Sequence, residues 1–289
     1  MIYSVEIKSE PMFLPYKIKS KEIQTLVKNH LINRNFLKEY GELKEMVENN
    51  VDERQIEADL IKGVTVQEQW FPVDKVPLFD VFISHSHKDL DKDIKPLASW
   101  LYSNLGLRCF IDSLFWQYAD RLQNMMDKCY AQRTNGNYDY KIRNYTTSHV
   151  HTMLSMALMK MMSKTECVLF VDSDNSIIYK KGQFQTPSPW IYAEIGFAQN
   201  LQMTIPDRYL QRLVPVCERG GRVQIRTFSE KHEMNIMYDV DLSQFYEISA
   251  DTLCFAKRNG NFGNKALDYL HEKALKKYRR STNRNIIND

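Results

Sequence analysis

Two serines alternate with two histidines at the end of a short apolar run in Asp80-Val-Phe-Ile-Ser-His-Ser-His-Lys-Asp89. His85 and His87, at i and i+2, could ligate a metal ion, with His149 and His151 supplying the rest of the set. Neither pair matches a familiar zinc spacing, and nothing in the sequence fixes the pairs near each other. No metal site is therefore expected. The other chemistry open to this stretch is anion binding. A strand that ends in Ser84-His85-Ser86 and turns into a helix presents hydroxyls and backbone N–H groups at a helix N-terminus. Serine-rich turns also cap helices with no ligand present.

A second constellation lies in Ser188-Pro-Trp-Ile-Tyr-Ala-Glu-Ile-Gly-Phe-Ala198. Ser188 or Pro189 can open a helix, which puts Trp190 and Glu194 at i and i+4 on one face. A carboxylate beside a large aromatic at the mouth of a sheet can have a raised pKa, or can face a developing cation. The same spacing also fits a surface glutamate in the first turns of a helix that Trp190 anchors to the core.

The elements that must position these groups can be read from periodicity. Residues 20–62 read as helices, with Ile23, Leu26 and Val27 on one stripe and Phe36, Leu37, Leu43 and Val47 on another. Pro72 and Pro77 mark a boundary, so residues 1–75 form a mainly helical module of their own. Beyond it, short apolar runs at 78–84, 107–112, 167–171 and 212–217, and a weaker one at 245–249, read as strands. Between and after them, helical spacing runs from Leu90 to Leu105 with Gly106 as its stop, resumes near Asp120, and recurs over 149–163, 190–201 and 266–278. Continuously apolar strands alternating with helices predict a parallel sheet covered on both faces. Ligand crevices in such sheets lie outside the carboxyl ends of the strands. That rule gathers residues 84–87, the stretch from Asp112 to Trp116, and the loop after Val171.

Composition narrows the class. A chain of 289 residues can bury one full-sized core and a small additional module. A formal charge of +3, without a face-long run of Lys and Arg, points to neither a nucleic-acid nor a membrane partner. The basic cluster at 276–280 suits the negative end of a helix dipole. Five cysteines, with no Cys-x-x-Cys spacing and three of them in apolar runs, fit reduced thiols in a cytoplasmic protein. Met1–Lys8 is interrupted by charge and lacks the apolar core of a signal peptide.

In order along the chain, FDVFISHSHKD, GLRCFIDSLFW and CVLFVDSDNS…SPWIYAEIGFA resemble the motifs of TIR (Toll/interleukin-1 receptor) domains, closest to those of bacterial TIR proteins. The resemblance covers residues 78–200 and continues to about 280 by strand–helix pattern. It implies an α/β, flavodoxin-like fold: a five-stranded parallel sheet with helices on both faces over 78–280, followed by a polar tail at 281–289. In the catalytic branch of that family the domain cleaves the nicotinamide–ribose bond of NAD+, giving nicotinamide and ADP-ribose or a cyclic ADP-ribose isomer. NAD+ is then the substrate and no cofactor is needed. Carried over by motif, Glu194 is the catalytic carboxylate, and His85, Ser86, Asp112, Trp116 and Trp190 contact substrate, with His87 beside them. The loop from Asp112 through Trp116 to about Ala119 would gate the site and mediate self-association. The resemblance further implies antiphage immune signalling and a downstream effector that senses a nucleotide product. Three features depart from the family: Ala119 stands where the loop usually carries Gly, residues 130–148 look inserted, and the loop from Asp172 to Pro187 is longer than expected. Other family members are non-catalytic scaffolds, and the pairing of Trp190 with Glu194 favours the enzyme.

Overall fold

A computed structural model describes residues 15–48, 67–116, 119–180, 182–200 and 237–287, with side chains to residue 277. The chain enters as a strand, β1 (Tyr16–Lys19), followed by α1 (Ser20–Val27), α2 (Arg34–Glu48) and a single turn, α3 (Gln67–Trp70). Next come β2 (Val81–Ser84), α4 (Lys95–Leu105), β3 (Cys109–Phe110), a short α5 (Asp112–Phe115), α6 (Ala119–Met126) and the long α7 (Tyr140–Lys164). Then follow β4 (Cys167–Asp172), β5 (Ile178–Lys180), β6 (Gln183–Thr186), α8 (Pro189–Asn200), β7 (Tyr238–Val240), β8 (Tyr246–Glu247), α9 (Ala250–Arg258) and α10 (Asn264–Ile287).

Five of these strands form one all-parallel sheet in the order β3-β2-β4-β1-β8. All four residues of β2, and Cys167 to Val171 of β4, are buried. Burial of successive residues requires cover on both faces, as in other parallel sheets. One helical layer contains α1, α4 and α9; another contains α6, α7 and α8. The α/β class with five parallel strands is thus as expected from sequence.

The membership of the sheet is not. The strand expected from residues 212–217 lies outside the described residues. The place between β4 and β8 is held by β1, from the stretch assigned to a separate helical module. Tyr16 and Ile18 are fully buried, while Lys17 and Lys19 alternate with them and Lys19 pairs with Glu247 at 3.0 Å. Four residues with lysine at every second position carry little apolar signal, although alternation is what a strand requires.

The first helices are equally integral. The Tyr40 hydroxyl donates to the Cys109 carbonyl at 2.5 Å and accepts from the Cys109 N–H at 2.7 Å. That contact satisfies backbone groups on an edge strand, where an open edge invites foreign pairing. His30 and the Asn33 backbone both meet Ser99 on α4. A boundary at Pro72 therefore does not separate two bodies: residues 16–48 build the same core as residues 79–116.

Three further expectations are corrected. Half of the apparent insertion at 130–148 is helix, because Asp139 caps α7 by accepting from the N–H groups of Lys141 and Ile142. Residues 281–287 continue α10 rather than forming a tail. The second strand ends before Asp112, which opens α5. Gly106 does end its helix, in the left-handed conformation at φ 66°. A Cβ there would also lie 2.3 Å from the Phe262 ring.

Candidate active site

Ser84 ends β2, and its hydroxyl donates to Glu194 Oε2 at 2.5 Å across 110 residues of sequence. Glu194 is delivered by α8, whose first turn is capped when Ser188 Oγ accepts from the Ile191 N–H at 3.3 Å. The carboxyl is almost fully buried, at 3% exposure. Burial, reinforced by the negative charge of Asp112, raises its pKa well above the usual glutamate range; the Ser84 hydrogen bond opposes this only partly. The site therefore favours the neutral acid form of Glu194.

Asp112 has the opposite setting. It opens α5 just past the carboxyl end of β3, and two imidazoles face it. His85 Nδ1 lies 3.7 Å from Oδ1 and His87 Nε2 lies 3.5 Å from Oδ2. Desolvation alone would raise its pKa, but the hydrogen bond and charge of His87, with the Ser113 backbone N–H, hold it below the usual aspartate value. Asp112 is a carboxylate.

The two histidines diverge as well. His85 is buried; its Nδ1–H donates to the Ile83 carbonyl at 2.9 Å, so Nε2 accepts from the Ser113 hydroxyl at 2.7 Å. Desolvation lowers its pKa and keeps it neutral. The His87 side chain is 67% exposed, and Asp112 raises its pKa.

Asp112 and His87 border a cavity of about 610 Å³ whose walls also include Ser113, Trp116, His151 and Trp190. The volume falls within the range for small-ligand sites. Trp190 meets His151 edge-on, with ring centroids 5.4 Å apart. Trp116 is buried at 4% exposure against Phe110 and Phe71. The turn at 87–89 is braced from below: Ser173 and Asn175, after β4, donate to the buried Asp89 at 2.5 and 2.6 Å.

Of the residues expected from sequence, Asp112, Trp116 and Trp190 lie on the cavity wall. His85 and Glu194 stand behind it, His85 joined to it through Ser113 and Glu194 close enough to feel the repulsion of the Asp112 charge. Ser86 is half-buried and is not on the wall; its carbonyl accepts from the Asp89 N–H at 2.9 Å. Sequence reasoning missed Ser84 as the partner of Glu194, and Ser113 as the partner of His85. Its only signal for Ser84 was a hydroxyl ending an apolar strand. It also set His151 beside His149. Two positions apart on a helix they point away from each other, and His149 borders a different, apolar cavity with Trp70 and Met153. Among the described residues no group of three or more His, Cys, Asp or Glu is placed to hold a metal ion. No described helix is long and apolar enough to cross a membrane.

Comparison of the chain with family models, with curated proteins and with solved structures gave no match.

Proposed function

We propose that this crevice cleaves the nicotinamide–ribose bond of NAD+, with Glu194 as the catalytic carboxylate. The observation that carries the reading is the placement of two carboxyl groups, Glu194 buried against Ser84 and Asp112 on the wall of an indole-lined cavity beside two imidazoles, with pKa values shifted in opposite directions. Divergent carboxyl pKa values are how one site assigns two acid–base roles. As the C1′–N bond breaks, its electron pair stays on nicotinamide, which leaves neutral, and the ribose becomes cationic. Asp112 faces that charge from the outset. NAD+ also brings a pyridinium cation, which lowers the pKa of a nearby buried acid. Glu194 releases its proton to solvent as substrate enters, and the carboxylate left behind stabilises the ribosyl cation, as carboxylates do in glycosidases. Trp190 and Trp116 supply flat apolar walls for the departing ring.

The motif resemblance supports the wider setting: a bacterial antiphage signalling enzyme, self-associated through this domain, whose nucleotide product a downstream effector senses. The alternative, a non-catalytic scaffold that associates through Trp116, draws less support, because that indole is packed in the core. The experiment is incubation of concentrated protein with NAD+, following nicotinamide release and identifying products by mass spectrometry. Release by the wild type that Glu194→Gln abolishes supports the reading. Equal release by both removes Glu194 from the chemistry.

A further inference from the structure

We infer that His87, oriented by Asp112, is the general base that activates water in this site and so directs the reaction towards hydrolysis; the inference rests on the NAD+-cleaving reading above. Three observations converge. His87 is a proton acceptor that combines a place on the cavity wall with a carboxylate behind its ring. Its Nε2 faces Asp112 Oδ2 at 3.5 Å, which directs the ring proton to that nitrogen and leaves the Nδ1 lone pair open. Its side chain is two-thirds exposed, so water reaches it, whereas Glu194 is sealed behind the wall and His85 has both nitrogens engaged.

The step balances. After nicotinamide has left with the C1′–N electron pair, a water oxygen bonds to C1′. One of its protons passes to His87 Nδ1, and the resulting imidazolium is stabilised by Asp112. ADP-ribose forms, and the proton is later lost to solvent. Asp112 is the positioning residue: it fixes the tautomer and holds the charge, as the carboxylate of a catalytic triad does. Cyclisation uses a nucleophile within ADP-ribose in place of water, so His87 does not have to activate a solvent molecule for it.

The charged and titratable groups facing His87 come from several elements. They are Asp112 on α5, Asp120 on α6, His85 on its own strand end, and His151 across the cavity on α7; Glu194 on α8 acts through Asp112. The two aspartates raise the His87 pKa above the ordinary 6.5. Neutral His87 is the active form, so the hydrolytic rate rises with pH through that raised value.

The test uses the full chain with NAD+ and two competing acceptors: water, and the neutral pyridine base 3-acetylpyridine, whose ring nitrogen has no proton to lose. With His87→Gln, ADP-ribose formation is expected to fall about 100-fold, the scale of one lost general base. Exchange of nicotinamide for 3-acetylpyridine should persist within a few-fold, and the alkaline rise in hydrolysis should disappear. Asp112→Asn should shift that rise to lower pH. Equal loss of hydrolysis and exchange in His87→Gln, or an unchanged ratio of ADP-ribose to exchange product, overturns the inference while the parent reading stands. A wild type that releases no nicotinamide with either acceptor overturns both.

Discussion

Glu194 and Asp112 share one crevice and one functional group, yet they lie on opposite sides of the titration. Glu194 is surrounded by the sheet end and a helix, with one hydroxyl as partner. Asp112 sits at the wall with two imidazoles before it. The difference shows that burial without a cation raises a carboxyl's pKa, whereas a place on the wall beside the His87 imidazole lowers it. The charge on Asp112 adds to the burial that raises the Glu194 pKa, through their proximity in the fold.

The largest expected effect comes from breaking the buried member. Glu194→Gln should lower nicotinamide release by about 10²- to 10³-fold, the range for losing one electrostatic stabiliser of a transition state. The same change replaces a neutral acid by a neutral amide, so the fold should survive it. A carboxyl whose folded pKa is raised stabilises the protein fully below its ordinary 4.5 and loses that contribution as pH rises through the folded value. Thermal melting of Glu194→Gln from pH 5 to 9 should therefore fall less with pH than that of wild type.

Asp112 carries the opposite sign. Its folded pKa lies below the ordinary 3.8, so its contribution is present above 3.8 and is lost as pH falls through the folded value. Asp112→Asn should cost about 1–3 kcal/mol at pH 7, measured by urea unfolding, with the deficit shrinking towards pH 3. Loss of equal size at pH 3 and pH 7 would mean that the carboxylate charge is not what stabilises the site.

Trp116 and Trp190 sharpen the contrast between wall and core. Trp116→Ala should destabilise the fold by about 3–5 kcal/mol, because it empties a packed aromatic site. Trp190→Ala should be milder in stability and raise KM about tenfold, the scale of one aromatic contact. If Trp116→Ala leaves stability intact and abolishes self-association, the indole serves an interface rather than the core.

Local chemistry was legible in the sequence and long-range partnership was not. The i and i+4 spacing of Trp190 and Glu194, the strand ending at Ser84 and the stop at Gly106 all depend on neighbours within one turn. The bond between Ser84 and Glu194 spans 110 residues, and no periodicity announces it. β1 was hidden because its alternating lysines dilute the apolar signal, although Tyr16 and Ile18 complete the sheet centre. The polar, tyrosine-rich stretch before His149 carries the composition of an insertion, and the cap at Asp139 makes its second half the start of a long helix. The ring contact of His151 with Trp190 depends on how two helices pack, so the sequence shows only the His149–His151 spacing.

The opposite charge states of the two carboxyls can be read directly by side-chain carboxyl carbon NMR on protein labelled at Asp and Glu, titrated from pH 2 to 9. Expected is one glutamate signal that titrates well above 4.5 and vanishes in Glu194→Gln, beside an aspartate signal that titrates below 3.8 and vanishes in Asp112→Asn. A Glu194 signal titrating at or below 4.5 in the free protein would contradict the assignment of a neutral acid behind the crevice.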